Sequence, residues 1–343
     1  MKLVSYKIHN IENVGLYIND RIFNLKDAGR ACGFAAVESN MDQFLKGETA
    51  SMDRARQIEE KLKSGKILTE SFEWKELEML APVPHPTSCR DGYAFRQHVA
   101  SARRNRSVDM IPEFDEFPIF YFTNHQSIQG PGDIWCMPDH FKQLDFELEV
   151  AIVIGKKGRN IKAENADQYI AGYMIMNDMS ARVLQMEEMK LNLGPAKGKD
   201  FSTVIGPWLV TPDELQQYKV NGKSGHTGYN YNLDMKCMVN GVQVSQGNLG
   251  DMDWTFAEII ERCAYGVDIF PGDVIGSGTV GTGCFLELNG TGKFNNPDYK
   301  AQWLQDGDTV EMNITGLGCL TNKIKKVNSD FSILALKKTP AKV

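Results

Sequence analysis

The segment LDFELEVAIVIG at residues 144–155 has the alternating pattern of a β-strand. Side chains of a β-strand point alternately to its two faces, so one face here is apolar throughout and the other begins with acids. The face that begins with acids carries Asp145, Glu147, Glu149, Ala151 and Val153. Because both faces become apolar, the pattern predicts a strand covered on both sides, with carboxylates pointing inward near its start. An unpaired buried carboxylate is costly, so the pattern also predicts positive charge beside these acids.

Two pairs of alternating apolar runs predict β-hairpins elsewhere in the chain. The first pair meets at Asn19-Asp20, between the runs VGLYIND and RIFNL. The second pair meets at Asn240-Gly241, inside YNLDMKCMVNGVQVS. Asn-Gly favours a type I′ turn, because both central residues of that turn need a positive φ. The second hairpin is therefore the better defined of the two predictions.

Helical spacing of apolar residues is found in two short segments. Residues 51–65 predict an exposed helix that begins at Ser51 as N-cap, and residues 255–266 predict a helix that Gly266 closes. The glycine-rich segment at residues 271–290 is interpreted as a series of short apolar strands. Helices are therefore expected to be a minority in the second part of the chain.

A proline-rich segment, APVPHPT, divides the chain into two predicted domains. Prolines at alternate positions make this segment stiff and extended, which suits a domain boundary. Residues 1–81 predict a small α/β N-terminal domain. Residues 82–343 predict a mainly β domain with some α-helix. The whole chain is therefore expected to be mainly β.

Composition narrows the classes of protein to which the chain can belong. It has 343 residues, 42% hydrophobic content and a formal net charge of −6, with no long Lys/Arg run, which argues against nucleic-acid binding. The seven cysteines include no CxxC pair, so they are expected to be reduced thiols. No apolar run approaches the roughly 20 residues of a membrane helix, and no secretory signal is visible. These features predict a cytoplasmic protein that binds neither nucleic acid nor membrane.

Four acids are candidate metal ligands. An ExE pattern on a strand, here Glu147 and Glu149, can direct two oxygens toward one hard divalent cation. From this pair alone, solvated acids at a strand edge are the commoner outcome. Asp178 follows an abrupt end of an apolar run, and Asp91 follows the proline-rich segment. Each of these two is, by itself, equally typical of a helix cap or a turn.

Five sequence blocks resemble the signature blocks of the fumarylacetoacetate hydrolase family, in the same order and with suitable spacing. The blocks are RDGYAFRQHV, LDFELEVAIVIGKKGRNI, GYMIMNDMSARVLQ, LGPAKGKDFSTVIGPWLV and GSGTVGTGCFLEL. The resemblance extends over about residues 82–336. It implies the mixed β-sandwich roll of fumarylacetoacetase for the catalytic domain. It also implies a homodimer with active sites near the subunit contact.

The resemblance implies one divalent-metal site with four carboxylate ligands: Asp91, Glu147, Glu149 and Asp178. Because the set contains neither histidine nor cysteine, Mg²⁺ is the expected cation, with Ca²⁺ and Mn²⁺ as alternatives. The inward-pointing acids of residues 144–155 would then lie around this cation.

The resemblance also implies the catalytic side chains. In the hydrolases of the family the residue matching His98 is the general base, and it is oriented by a glutamate that matches Glu287. The residues matching Lys199, Arg182 and Gln185 direct hydrogen-bond donors at the substrate. If a helix began directly after Asp178, then Arg182 and Gln185 would share a face with it.

Further positions match residues that contact substrate in the family: Tyr93, Tyr121, Thr203, Gly278 and Thr279. One position departs from the pattern, because Met189 stands where fumarylacetoacetate-specific enzymes carry tyrosine. Those enzymes carry a second arginine that contacts substrate. Its position has no firm match in this chain, and the candidates are Arg103, Arg104 and Arg106. The identity of the substrate is therefore open.

The function implied by the resemblance is metal-dependent hydrolysis of a carbon–carbon bond in a 1,3-diketo acid of the fumarylacetoacetate or acylpyruvate type, as in aromatic amino acid catabolism. The alternative within the superfamily is a decarboxylase, an isomerase or a sugar-acid dehydratase that uses the same metal-enolate site. An alternative of another class is a catalytically silent, metal-stabilised binding domain. Release of two acids would favour the hydrolase, and loss of CO₂ or water would favour its relatives.

Overall fold

Strands provide most of the regular structure in residues 1–338, the part of the chain that the computed structural model of the protein describes. In the first 81 residues the strands are β1 (Lys2–Ile8), β2 (Ile11–Ile18), β3 (Arg21–Asn24), β4 (Ser71–Phe72) and β5 (Glu78–Met79). The later strands are β6 (Cys89–Gly92), β7 (Phe120–Thr123), β8 (Ile128–Gln129), β9 (Gly132–Cys136), β10 (Leu144–Asp145), β11 (Leu148–Ile154), β12 (Gly158–Arg159), β13 (Ile170–Asp178), β14 (Ser180–Ala181), β15 (Thr203–Val210), β16 (Lys219–Asn221), β17 (Tyr229–Tyr231), β18 (Asp234–Val239), β19 (Val242–Asn248), β20 (Asp268–Ile269), β21 (Val274–Gly276), β22 (Thr309–Ile314) and β23 (Gly318–Lys326).

Helices are short and sit between the strands. They are α1 (Leu25–Ala31), α2 (Met41–Lys46), α3 (Glu48–Lys63), α4 (Arg96–Arg104), α5 (Ala163–Ala166), α6 (Arg182–Glu188), α7 (Phe256–Ala264) and α8 (Phe285–Asn295). Among the described residues, none of these helices combines the length and the apolar composition needed to cross a membrane. The prediction of a mainly β chain with some helix is confirmed.

Two large sheets organise the described residues. The larger has twelve strands, in the order β4-β3-β2-β1-β15-β13-β11-β21-β6-β7, with β5 added beside β1 and β8 beside β15. The smaller has five strands, in the order β19-β18-β22-β23-β9. Three two-stranded pairs complete the set. Strands β13, β11, β21 and β6 are neighbours in the larger sheet, so residues near their ends can meet at one place.

Strand β11 is covered on both faces, as its sequence predicts. Val150 and Ile152 belong to a core that includes Met235 and Met312 from the five-stranded sheet. The alternate residues of β11 face a second core, which contains apolar residues of the helices α1–α3. Because both faces are dry, any carboxylate near the start of β11 must find a partner inside the protein.

Both predicted hairpins are present. Asn240 and Gly241 have φ values of 52° and 76°, as a type I′ turn between β18 and β19 requires. Asn19 and Asp20 have φ values of 50° and 60° and connect β2 to β3 in the same manner. Local turn chemistry was therefore sufficient to locate these two connections.

The two predicted helices differ in how well their starts were located. Helix α7 begins after Thr255. The Thr255 hydroxyl accepts a hydrogen bond from the backbone amide of Glu258, and the Glu258 carboxylate accepts one from the backbone amide of Thr255. Helix α3 begins at Glu48, so the prediction of Ser51 as its N-cap is wrong. The Ser51 hydroxyl instead donates to Glu38 at 2.6 Å. A tertiary partner therefore accounts for a residue that resembled a cap.

The N-terminal segment is continuous with the rest of the larger sheet. Strand β1 pairs antiparallel with β15, with Lys2 opposite Val210 and Leu3 opposite Leu209. One core also includes residues from both sides of residue 81, among them Leu3 and Ala151. The α/β character of residues 1–81 is as predicted, while their folding as a separate domain stays a prediction.

Candidate active site

Four buried carboxylates meet where neighbouring strands of the larger sheet come together. Asp91 lies on β6, Glu149 on β11 and Asp178 at the end of β13, and Glu147 immediately precedes β11. One oxygen of each lies within 4.8 Å of the others. All four are at least 94% buried, with exposures between 0% and 6%. The structure thus brings together the four residues proposed as metal ligands from the sequence.

The chemistry of this carboxylate cluster fits a divalent cation. Among the described residues, Glu149 Oε2 and Asp178 Oδ1 are buried without a hydrogen-bond partner. Burial, together with the charge of Asp178, raises the pKa of Asp91 to about 7. Burial and the neighbouring carboxylates also raise the pKa of Glu149 well above its usual range. A hard cation would relieve both costs, because carboxylate oxygens are the ligands that Mg²⁺, Mn²⁺ and Ca²⁺ prefer.

Two basic side chains supply the positive charge that the pattern of residues 144–155 predicts beside its acids. Lys199 Nζ donates to Glu147 at 2.5 Å and to Asp178 at 2.7 Å. Arg182 Nη2 donates to the other oxygen of Glu147 at 2.8 Å. Burial alone would raise the pKa of Glu147, but Lys199 and Arg182 lower it to about 2. Glu147 is therefore the acid of the cluster most firmly held in its ionised form.

A histidine–glutamate pair adjoins the carboxylate cluster. His98 lies on α4, and its Nδ1 is 2.6 Å from Glu287 Oε2, with both side chains buried. A ring nitrogen of His98 also lies within 4.8 Å of an oxygen of Glu147. Glu287 belongs to the first turn of α8, so the interpretation of this whole glycine-rich segment as strands is wrong. The helix points Glu287 at His98 across 189 residues of sequence.

Arg182 and Gln185 lie in the site, but they do not share a helix with Asp178. Asp178 ends β13, and α6 begins only at Arg182, so the expectation of one helical face for all three residues is wrong. Arg182 Nη1 donates to Gln185 Oε1 at 2.9 Å. Gln185 therefore contacts the site through Arg182, which itself touches Glu147.

The five residues predicted to contact substrate surround the same cluster. Tyr121 donates to Asp178 at 2.5 Å, and the ring of Tyr93 meets that of His98 edge-on at 5.9 Å. Thr203 lies opposite Asp178 in the β13–β15 pairing. The amide of Gly278 and the hydroxyl of Thr279 donate to Asp91 and Glu149 respectively. Contact of these residues with a substrate stays a prediction.

Gly278 has a structural reason to be glycine. Its φ is +78°, and a Cβ at this position would lie 2.6 Å from the carbonyl oxygen of Gly92. This close approach allows the Gly278 amide to donate to Asp91 at 3.1 Å. The glycine thus lets the backbone contribute a hydrogen bond to one of the four carboxylates.

Asp145 is a residue of the site that sequence reasoning did not assign. It is fully buried and accepts a hydrogen bond from Arg182 Nε at 2.8 Å. It also accepts the amides of Phe285 and Leu286, at 2.8 and 2.9 Å, where α8 begins. Asp145 therefore connects Arg182 to the helix that carries Glu287. Its position two residues before Glu147, on the same face, was the available signal.

Replacing Asp145 with asparagine should lower the free energy of unfolding by about 3 kcal/mol, because a buried arginine loses one of its two charged partners. Urea unfolding measures this change. A matched control is Asp115→Asn, which alters an exposed Asp–Arg pair with Arg96 and should cost less than about 1 kcal/mol. Equal effects of the two variants would refute the positioning role of Asp145.

The stability of the protein without added cation should fall as the pH rises. The pKa of Asp91 is about 7 in the folded protein against 3.8 ordinarily, so the folded state binds this proton more tightly. That stabilisation is complete below about pH 4 and is lost as the pH passes through about 7. Urea midpoints of EDTA-treated protein between about pH 5 and pH 8 test this trend. Saturating Mg²⁺ should reduce it, whereas stability that rises across this window would contradict the assignment.

Comparison with known proteins places the chain in a family. Residues 87–325 match the family model described as fumarylacetoacetate (FAA) hydrolase, C-terminal. The chain belongs to the fumarylacetoacetate hydrolase family. The recognition based on five sequence blocks is therefore confirmed, and so is the fold class that it implied. The protein is an enzyme of the fumarylacetoacetate hydrolase superfamily, whose members generally bind a divalent metal.

Proteins similar to this chain have names that describe different reactions. The chain is 28% identical over 334 residues to oxaloacetate tautomerase YisK of Bacillus subtilis (strain 168), covering 94% of this chain and 100% of that one. It is 32% identical over 294 residues to the mitochondrial oxaloacetate tautomerase Fahd2a of Rattus norvegicus, covering 84% and 80% respectively. Maleylpyruvate hydrolase from Sphingobium sp. SYK-6 shares the fold, with a TM-score of 0.66 at 20% identity over 95% and 100% of the two chains.

Proposed function

We propose that this protein interconverts the keto and enol forms of a 2-oxo dicarboxylic acid of the oxaloacetate class. The observation that carries the proposal is His98, which is held by Glu287 and lies beside the carboxylate cluster. Tautomerisation needs one group that moves a proton, placed beside a site that stabilises an enolate. The names of the two curated relatives support this reaction over the carbon–carbon hydrolysis that the sequence resemblance implied.

The reaction moves one proton and breaks no carbon–carbon bond. A divalent cation held by the four carboxylates would supply Lewis-acid polarisation of the 2-oxo group, which makes the neighbouring C3–H bond more acidic. For enolisation, a base takes the C3 proton, and the oxygen at C2 receives a proton. Ketonisation reverses both transfers, so atoms and charge balance in either direction.

His98 is the proposed base because its partner sets its tautomer. Glu287 accepts the proton on Nδ1, which leaves the lone pair of Nε2 free to accept a proton from substrate. The carboxylate also stabilises the imidazolium that forms during transfer. Once it carries the substrate proton on Nε2, the same ring can return that proton to carbon or to oxygen.

Lys199 is the proposed donor to the developing enolate. Its ammonium group has three N–H donors, and Glu147 and Asp178 accept two of them. One donor therefore remains for a substrate oxygen at the edge of the carboxylate cluster. Arg182, by contrast, already donates to Asp145, Glu147 and Gln185, so its proposed role is to hold these groups in place.

Hydrolysis of a 1,3-diketo acid is a second candidate. A buried imidazole held by a carboxylate is also what activation of a water molecule requires, and the His98–Glu287 pair has this arrangement. In that reaction water would be consumed and two acids would be released. Product analysis therefore separates the two functions without any assumption about the site.

The test is to follow the ultraviolet absorbance of enol oxaloacetate after transfer into buffer with the Mg²⁺-loaded protein. We expect faster decay than in buffer alone, with no change in mass, and loss of the effect after EDTA treatment. Acylpyruvate and fumarylacetoacetate are incubated in parallel. Two acid fragments from either would favour the hydrolase, and pyruvate with CO₂ from oxaloacetate would favour a decarboxylase. No turnover of any of the three would refute both candidates.

A further inference from the structure

A second group of potential metal ligands overlaps the carboxylate cluster. Cys284 Sγ, a ring nitrogen of His98 and an oxygen of Glu147 all lie within 4.8 Å of one another. All three residues are buried. The proposed reaction uses His98 and Glu147 but gives no role to the thiol.

We propose that His98, Glu147 and Cys284 form a second cation site, suited to a borderline-soft ion such as Zn²⁺, and that occupation of this site inhibits the enzyme by removing His98 from proton transfer. Protein zinc sites that are not purely structural typically have three protein ligands, with nitrogen, sulfur or oxygen donor atoms, and a water molecule in the fourth position. The four-carboxylate set contains only oxygen and suits hard cations. The two sites therefore differ in the ions they prefer, although they share Glu147.

The histidine is already oriented as metal-binding histidines are. Glu287 engages Nδ1 of His98 at 2.6 Å, so Nε2 is the ring nitrogen that remains for a metal. A carboxylate behind the ring is the usual means of fixing a metal-binding imidazole and raising its basicity. The pairing that prepares His98 as a base thus also prepares it as a ligand.

The cysteine is held in place by the start of α8. Cys284 is the N-cap residue of this helix, and its Sγ accepts the amide of Glu287 at 3.5 Å. Glu287 thereby contacts His98 through its side chain and Cys284 through its backbone. Ligand atoms around one tetrahedral zinc lie about 3.3–3.8 Å apart, so the three ligand atoms, which lie within 4.8 Å of one another, would move closer together as the metal binds. The thiol proton would leave to solvent as the metal binds.

The balance of buried charge leaves room for a second cation. Six buried carboxylates lie in this region: Asp91, Asp145, Glu147, Glu149, Asp178 and Glu287. Among the described residues, the lysine and arginine side chains paired with these carboxylates are Arg182 and Lys199. One divalent cation would therefore leave negative charge uncompensated when all the acids are ionised. A second cation bound at the shared Glu147 would further reduce this uncompensated negative charge.

The test uses Co²⁺ as a spectroscopic probe and Zn²⁺ as an inhibitor, both with saturating Mg²⁺. Co²⁺ should give a near-ultraviolet thiolate-to-cobalt charge-transfer band with the wild-type protein and none with Cys284→Ser. Serine retains an N-cap oxygen, so this variant should keep α8. Zn²⁺ should inhibit the wild type at a concentration at least about tenfold lower than Cys284→Ser, because one ligand is missing.

Two variants make the result specific. Cys319→Ser removes an exposed thiol and should leave both the band and the zinc inhibition unchanged. His98→Gln should abolish the cobalt band even though Cys284 is still present. A band that persists in Cys284→Ser, or equal zinc inhibition of the wild type and this variant, would overturn the proposal. The cobalt spectrum does not depend on turnover, so its outcome is separate from that of the tautomerase assay.

Discussion

Replacing His98 with glutamine should lower kcat by about 10²- to 10⁴-fold, the usual contribution of a general acid–base group. Glutamine can still hydrogen-bond to Glu287, but it cannot accept a proton from substrate at neutral pH. Both candidate reactions require that transfer, so the loss is expected whichever substrate proves active. Steady-state kinetics with the best substrate measure the change.

The histidine experiment has a control within the chain. His85 forms an exposed pair with Glu12, with Nε2 3.1 Å from both carboxylate oxygens, so His85→Gln alters a similar pair that includes no residue of the carboxylate cluster. Its kcat should stay within about twofold of wild type, since exposed substitutions rarely affect distant sites. The His98 variant should also retain Mg²⁺ affinity, because His98 is not among the four carboxylates. A kcat within about threefold of wild type for His98→Gln would exclude it as the base.

Replacing Glu149 with glutamine should separate stability from activity. Glu149 is fully buried, and one of its oxygens has no hydrogen-bond partner among the described residues. Without a cation, ionisation of this group is opposed by burial and by the charges of Asp91, Glu147 and Asp178. The variant removes that repulsion and adds an amide that can donate to a neighbouring carboxylate. In EDTA at about pH 8 it should be more stable than wild type, by about 1–4 kcal/mol.

The same change should remove function. Loss of one charged oxygen ligand should weaken Mg²⁺ binding by at least about 100-fold and abolish turnover at moderate Mg²⁺. Urea unfolding in EDTA and calorimetric Mg²⁺ titration measure the two effects on the same protein. Glu261→Gln, on the exposed side of α7, is the control and should change neither. A variant that is less stable than wild type in EDTA would show that Glu149 is favourably paired without a cation.

Some features of the protein followed from short stretches of its sequence. The apolar pattern of residues 144–155 predicted a strand covered on both faces, and β11 has this environment. Asn240-Gly241 predicted its own turn, because the φ values that the turn requires are properties of those two residues. The family blocks identified the four carboxylates, His98 and Glu287 as candidates, because each block carries its functional residues at fixed positions.

Helix α8 shows what local sequence could not decide. It contains Gly290 and Gly292, both poor helix formers, and its first half belongs to the segment at residues 271–290 that the sequence pattern predicts to be strands. In the structure, Asp145 accepts the first free amides of the helix from a position 140 residues away in sequence. No window around residue 287 contains this partner, so no local pattern predicts the helix. Glu287 reaches His98 only because the helix forms.

The contacts within the site were likewise decided by tertiary structure. Lys199 lies 52 residues from Glu147, and Asp145 lies 37 residues from Arg182. These pairs meet because β11 pairs antiparallel with β13, so the acids just before β11 lie beside residues that follow β13. Sequence determined which residue types were available and how each short segment folds. Which charges neutralise each other depends on distance in the folded protein, because buried charges interact strongly only with the groups that packing places beside them.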